Sequence, residues 1–247
     1  MDDADGYFGE PVAAGYDDPA DPMNQPAAVD PAVSLLAGLA GSRGALELAI
    51  GTGRIGLPLS QRGVPVHGIE LSRAMLARLR AKPGGDAVPV TIGDMTTTRV
   101  EGTFSLAYLV FNTINNLTTQ EAQLACFRNV AAHLAPGGCF VIETAVPPLR
   151  ELPPGQHIRG YRAGPGRIVS YSFDHATQNY RGHYVEFTGG TGEYRTIPFR
   201  YVWPSELDLM AELAGLRLAD RWAGWSREPF TTDSGSHVSV WAAVPVT

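Results

Sequence analysis

Ala45-Leu46-Glu47-Leu48-Ala49-Ile50-Gly51-Thr52-Gly53-Arg54-Ile55-Gly56 is the stretch on which the fold turns. It opens as an apolar strand, passes through a glycine-rich turn and continues as a helix start. Strand, tight turn and helix N-terminus are how α/β sheets hold nucleotide-like ligands. Two readings compete. Gly51, Gly53 and Gly56 satisfy the G-x-G-x-x-G fingerprint of a dinucleotide site, which predicts an NAD- or FAD-dependent enzyme. Glu47, in the strand ahead of the first glycine, argues the other way, because a carboxylate repels a pyrophosphate and suits a cationic ligand.

Outward from this stretch the pattern is β-α repeated. Residues 31–40 read as a short helix with Pro31 near its start. The opening strand covers about 44–50 and the helix after the turn about 53–62, with a kink at Pro58. Second and third strands at 64–70 and 88–92 end in or near acids, Glu70 and Asp94. Ser72 caps the helix between them, whose apolar positions are Met75, Leu76 and Leu79. Residues 104–111 are almost continuously apolar, as in a strand covered on both faces. Thr118 and Glu121 form a capping box for a helix buried through Leu124, Phe127, Val130 and Leu134. Pro136-Gly137-Gly138 ends that helix, and a fifth strand follows at 139–144.

Then the pattern changes. Three strand-like segments, 167–173, 181–187 and 193–202, make an antiparallel insertion over about 165–203. Thr188-Gly189-Gly190-Thr191-Gly192 joins the last two as a hairpin. Ser205 caps a helix with Leu209, Met210 and Leu213 inward and Gly215 at its end. Segments 216–224 and 236–243 complete the sheet. The expected fold is α/β: a Rossmann-like, mainly parallel seven-stranded sheet with helices on both faces. Its last strand is antiparallel, and the β insertion follows strand five. Residues 31–247 form one domain, preceded by an arm at 1–30.

Composition bounds the partners. The net charge of −6 is uneven: residues 1–30 carry eight acids and no Lys or Arg, leaving 17 acids against 19 bases elsewhere. No basic stripe points to nucleic acid, and no apolar run is long enough for a membrane span. The N-terminus lacks a secretory signal pattern. Cys126 and Cys139 stand alone, without C-x-x-C or a Cys/His cluster, so neither a disulfide framework nor a metal site is expected. A reducing cytoplasm suits such a chain. The sequence leaves oligomeric state open, a homodimer included. The acidic arm should be mostly loop, yet it holds Tyr7, Phe8 and Tyr16. Either these pin the arm to the body or Tyr16 closes over a ligand.

Glu70 lies 17 residues after Gly53, close to the spacing at which an acid accepts hydrogen bonds from ribose hydroxyls. Both cofactor readings predict it. They part at Glu47 and Asp94, since S-adenosylmethionine carries an ammonium and a sulfonium and no phosphate. Each acid alone also has a structural reading: Glu47 a cap for backbone amides, Glu70 a strand end, Asp94 a turn residue. Arg54 reads as a helix-surface arginine and His67 as a satisfied core histidine.

Glu47–Gly53 (E-L-A-I-G-T-G), the G-I-E-L-S around Glu70 and the G-D-M of 93–95 resemble the class I S-adenosylmethionine-dependent methyltransferases. The resemblance covers roughly 40–144 and the closing helix and strands. It implies S-adenosylmethionine as cofactor, with the loop Ala49, Gly51, Thr52 and Gly53 along the methionine part and Glu47 helping to hold it. It further implies Glu70 on the ribose, Asp94 on the adenine amino group and Met95 packed on the ring. Leu71, Met75, Phe111 and Asn112 complete the expected cofactor set, with Tyr16 of the Tyr16-Asp17 pair at the methionine end. The family's first loop glycine is Ala49 here, and its common Asp at the start of strand four is Ser105.

The acceptor is less defined. Val110-Phe111-Asn112-Thr113-Ile114-Asn115-Asn116 is not the N-P-P-Y of amino-directed DNA methyltransferases, and neither cysteine follows a proline as in the cytosine-C5 enzymes. The insertion resembles the layout of small-molecule methyltransferases and is read as an acceptor lid. Tyr171, His175, His183, Tyr184 and Tyr201 either line its pocket or form its outer face. His175, His183 and Glu143 are candidate general bases for a hydroxyl acceptor, whereas a neutral amine needs none. The expectation is methyl transfer to an N or O atom of a small molecule in specialised metabolism. An NAD-dependent oxidoreductase and a non-catalytic cofactor-binding protein are the alternatives.

Overall fold

The computed structural model describes residues 5–164 and 166–244. Its main sheet has seven strands. β1 (Ala45–Leu48) lies between β2 (Val66–Glu70) and β4 (Phe104–Leu109), parallel to both. β3 (Val90–Ile92) and β5 (Leu134–Ala145) extend the parallel set. β11 (Ser236–Ala243) inserts antiparallel between β5 and β10 (Leu216–Trp222). The order reverses between β1 and β4, and ligands of open α/β sheets collect outside the strand ends at such a switch point.

Alternation along β1 and β4 sends side chains to two cores. Leu46, Leu48, Ala107 and Leu109 pack on α5 (Gln120–Ala131) and α6 (Pro204–Leu213), with Trp241 buried against Phe127 and Phe140. Ala45, Leu106 and Tyr108 face α2 (Pro26–Leu39) and α3 (Gly56–Gln61) through Val33, Leu36 and Leu59. Glu47 alternates onto this second face, beneath α3.

Several local expectations shift. The first long helix begins at Pro26 rather than 31, which leaves Pro31 inside it. α3 is six residues long with Pro58 in its first turn, a position where proline is tolerated, and it needs no kink. Ser72 caps α4 (Arg73–Arg80) as expected, its Oγ accepting from Met75 N at 3.0 Å. The cap of α5 is Thr119, one residue past Thr118, accepting from Ala122 N at 3.1 Å. That helix ends at Ala131, and Leu134 through Gly138 belong to β5. Ser205 is not a cap either: α6 starts at Pro204, and Leu209 and Leu213 face solvent while Leu207, Met210 and Ala211 are buried.

The insertion is larger than expected. A fourth strand, β6 (Ile158–Gly164), precedes β7 (Arg167–Phe173), β8 (Asn179–Thr188) and β9 (Thr191–Arg200) in a separate antiparallel sheet. Gly189 and Gly190 both take left-handed φ in the β8–β9 turn, as a tight two-residue hairpin requires. The arm is not mainly loop. α1 (Glu10–Ala13) lies on α4, where Ala13, Ala74 and Met75 pack with Phe8 and Tyr16.

Candidate active site

The expected cofactor residues gather at the carboxyl edge of the parallel strands. Ala49 follows β1 with φ +52°, the left-handed region that glycine favours, so the residue replacing the expected glycine carries backbone strain. Gly53 is required by space as well as φ, since a Cβ there would come within 2.4 Å of Leu79 Cδ1. Gly56 has another role. A Cβ on it would lie 2.2 Å from Glu47 Oε2, so this third glycine lets α3 settle onto the strand and does not serve a phosphate.

Glu47 itself is buried behind the loop. Tyr108 donates its hydroxyl to Oε2 at 3.0 Å, and the Gly56 N–H also bonds the carboxyl. Burial pushes the Glu47 acid well above the usual carboxylate range, against the pull of those hydrogen bonds. Its visible contacts are those of a cap, and it touches the site through the backbone it braces.

Glu70 is nearly buried at the end of β2. Its Oε2 accepts from Gly51 N at 2.7 Å and its Oε1 from Ser72 N at 2.8 Å, tying the glycine loop to the second strand. Burial raises this acid, opposed by the same amides. Beside it Leu71 is 48% exposed, an apolar side chain left bare at a strand end. Asp94 is exposed past β3, and its Oδ1 accepts from Thr96 N and Oγ1 at 2.7 and 2.8 Å. Met95 is buried, and Met75 packs under the loop against the arm.

The arm reaches this edge. Asp17 Oδ1 accepts from Thr52 Oγ1 at 2.6 Å, while Lys82 Nζ bonds both Asp17 Oδ2 at 2.9 Å and the Thr52 carbonyl at 2.7 Å. Lys82, the one lysine among 19 basic side chains, joins the arm to the glycine loop. Tyr16 stands beside the loop, its phenol raised by burial. Arg54 is not a helix-surface arginine. Its guanidinium is sandwiched 4.9 Å from the Tyr16 ring and 4.4 Å from the Phe111 ring, and its Nε is buried without a partner. The aromatic pair signals nothing locally, because Tyr16 and Phe111 lie far away in sequence on either side.

Phe111 and Asn112 follow β4 in two successive left-handed conformations, φ +55° and +60°. Such strain persists where neighbours hold it. Glu143 Oε2 accepts from Phe111 N at 2.6 Å, and Asn112 Oδ1 accepts from Ala145 N at 2.6 Å. Glu143 is therefore a brace for this turn, and burial raises its acid.

A cavity of about 960 Å³ opens between the arm, this turn and one face of the four-stranded sheet. Tyr16, Arg54 and Phe111 line one end, and Tyr171, Tyr184 and Tyr201 of the insertion line the other wall. The structure does not bring the two histidines here. His175 is exposed in the β7–β8 loop, stacked on Phe173. His183 lies on the opposite face of the sheet from Tyr184, bonded to Ser172 Oγ and Tyr194 OH at 2.7 Å each. His67, as expected, is a partnered interior residue, 2.9 Å from Thr91 Oγ1. The thiols of Cys126 and Cys139 are pushed up by burial to about 12 and about 11, unsuited to nucleophilic work. Among the described residues no cluster with metal-ligand character occurs and no helix is long and apolar enough to cross a membrane.

Comparison with known proteins places this architecture. The family model described as a methyltransferase domain matches residues 45–138, from β1 into β5. The structure of the CcbJ methyltransferase from Streptomyces caelestis is similar at a TM-score of 0.79 and 33% identity, over 87% of this chain and 94% of that one. An amino pentose methyltransferase from Micromonospora echinaspora, solved with S-adenosylmethionine bound, superposes with a TM-score of 0.63 at 26% identity. That match covers 92% of this chain and 94% of the other. The cypemycin N-terminal methyltransferase of a Streptomyces species is 27% identical over 197 residues, 78% of this chain and 80% of that protein. The dinucleotide alternative thereby falls, and with strand order, glycine loop and relatives in agreement the chain belongs to the S-adenosylmethionine-dependent methyltransferases.

Proposed function

We propose that the protein moves a methyl group from S-adenosylmethionine to an N or O atom of a small-molecule acceptor, in specialised metabolism and in the cytoplasm. The observation that carries this reading is the single cavity in which Tyr16, Arg54 and Phe111 at the glycine-loop end meet the tyrosines of the four-stranded sheet. The names of the relatives support it, since they include an amino pentose methyltransferase and the cypemycin N-terminal methyltransferase.

The residues present fit the cofactor. Glu70 and Asp94 suit its ribose and its adenine amine, with Leu71 and Met95 beside the base. Arg54, which has no carboxylate partner among the described residues, suits the methionine carboxylate at the loop formed by Ala49, Gly51, Thr52 and Gly53. The bound cofactor supplies a methyl group already activated by its sulfonium. What remains for the chain is alignment and exclusion of water. The arm, latched by Asp17, covers the loop from one side; the insertion covers the acceptor from the other. We read both as lids.

Calorimetry with S-adenosylhomocysteine tests the cofactor site: Glu70→Ala should weaken binding by about 1–3 kcal/mol. Unchanged affinity would remove Glu70 from the site. Transfer of a labelled methyl group to a panel of amines, phenols and sugars separates an enzyme from a protein that merely binds the cofactor.

A further inference from the structure

Most polar groups around the cavity are already engaged. Arg159 pairs with Glu151, and Arg167 and Arg195 share Glu186. Asp18 and Asp21 accept from their own local backbone at Ala20 N and Met23 N. Asn112 Oδ1 accepts from Thr144 and Ala145, and the Thr113 hydroxyl donates to the Val110 carbonyl.

Beside the unpartnered guanidine nitrogens of Arg54, Arg167 and Arg195, Asn115 and Tyr180 keep unspent capacity, and theirs includes an acceptor. Phe173, Tyr180 and Phe199 are direct cross-strand neighbours, and their rings stack at 5.5 and 5.0 Å with interplanar angles of 22°. Tyr180 is thereby held rigid, its hydroxyl reaching from the insertion to the turn after β4, where Asn115 Nδ2 donates to it at 3.3 Å. That one hydrogen bond leaves much unspent. The phenol keeps its own O–H and a second lone pair, and Asn115 Oδ1 is buried with no partner. A buried acceptor without a donor is costly, and an incoming N–H relieves it.

We propose that this amide–phenol pair receives the acceptor's nucleophilic nitrogen, and that the acceptor is a neutral primary or secondary amine. The proposal rests on the methyl-transfer reading above. A primary amine's two N–H groups donate to the Tyr180 oxygen and, with a turn of the amide, to the Asn115 oxygen, and a secondary amine's one N–H donates to either, leaving the nitrogen lone pair free to point at the methyl carbon. The lone pair forms the C–N bond, and the C–S electron pair stays on sulfur. The product ammonium keeps its protons during the step and later loses one to solvent. A hydroxyl acceptor would have to give up its proton to form a neutral ether. Neither an amide nor a phenol is a base for that proton, and burial leaves Tyr180 un-ionised across the working pH range. Among the described residues no histidine lines the cavity, and its carboxylates are engaged as stated.

The test pairs amines with their hydroxyl counterparts: amino sugars with sugars, and short peptides with peptides whose terminal amine is replaced by hydroxyl. The wild type should methylate only the amine members, with a rate that rises as the acceptor's own ammonium deprotonates. Tyr180→Phe keeps the ring stack and should lower kcat/KM for the amine about 10- to 100-fold. S-adenosylhomocysteine affinity should stay unchanged. Asn115→Leu should act in the same direction. A hydroxyl member turned over as fast as its amine, or Tyr180→Phe within about twofold of wild type, would overturn the proposal. Loss of the methyl-transfer reading looks different, because the wild type would then fail to bind S-adenosylhomocysteine.

Discussion

Glu206 anchors the four-stranded sheet to the main domain, and its removal has a calculable effect. Its Oε1 accepts from Arg200 at 2.7 Å and from Gln120 at 2.7 Å, and its Oε2 accepts from Gln178 at 2.9 Å. The side chains of Arg200 and Glu206 are only 6% and 14% exposed. Arg200 also donates to Gln123, whose amide reaches the Ile114 carbonyl beside the β4 turn. Glu206→Ala leaves the Arg200 guanidinium buried with Gln123 as its remaining side-chain partner. Breaking a fully buried pair costs about 3–5 kcal/mol, and partial exposure lowers this to about 3 kcal/mol. For a chain of this size that is a fall in Tm of about 6–12 °C. Glu206→Gln keeps the shape and one acceptor oxygen, and should lose roughly half as much.

The acid dependence carries a sign. Burial works to raise the Glu206 acid, but hydrogen bonds from Gln178, Arg200 and Gln120 outweigh it and hold the acid below its ordinary value of 4.5. Its stabilisation is fully present above that value and is lost as pH falls through the folded-state value. The difference in Tm between wild type and Glu206→Gln should therefore narrow as pH falls below 4.5. Differential scanning calorimetry across pH measures both effects. A Tm shift under about 1 °C at neutral pH, or a gap that widens in acid, would show that Glu206 is no anchor.

Three further outcomes follow from features of the site. Ala49→Gly removes a Cβ from a left-handed position and should stabilise the fold by about 0.5–1 kcal/mol after the unfolded-chain entropy is offset, read as a higher urea midpoint; a lower midpoint would contradict it. Lys82→Met removes the cation joining Asp17 to the Thr52 carbonyl and should hasten proteolytic cleavage within residues 5–25 while leaving the main domain's Tm nearly unchanged. An arm equally resistant to protease would show that the latch is idle. Glu143→Ala frees the Phe111 N–H and should lower single-turnover methyl transfer about tenfold by loosening the strained turn. An unchanged rate would exclude Glu143 as its brace.

Periodicity and punctuation made the sheet legible, because strands covered on both faces and glycine stops are local signals. The strand over 158–164 was hidden because Ile-Arg-Gly-Tyr-Arg lacks a clean apolar alternation and gains its strand character from pairing with β7. The cap of α5 slipped from Thr118 to Thr119, since either neighbouring threonine can cap, while Pro204, suited to the first helical position, placed Ser205 inside α6. At the carboxyl edge of the sheet, the positions of Glu70 and Asp94 were visible from the strand ends they follow. Glu47 was visible too, but as a charge; only packing reveals the Tyr108 hydroxyl and the Gly56 amide that hold it. Arg54, Asn115 and Tyr180 gain their meaning from partners remote in sequence, which no spacing rule records. Of the insertion's histidines, left open between pocket and outer face, His175 lies in the β7–β8 loop and His183 on the other face of the sheet from Tyr184, since in an antiparallel sheet one residue of register decides which face a side chain takes.

The scarcity of lysine makes the molecule its own reporter. Apart from the α-amino group, an amine-reactive reagent has a single side-chain target in 247 residues, and that target is the ammonium clasping Asp17 and the Thr52 carbonyl. Its labelling rate therefore measures how often the arm lifts from the loop. No foreign probe has to be introduced to follow that opening, or to see whether a bound cofactor or acceptor slows it.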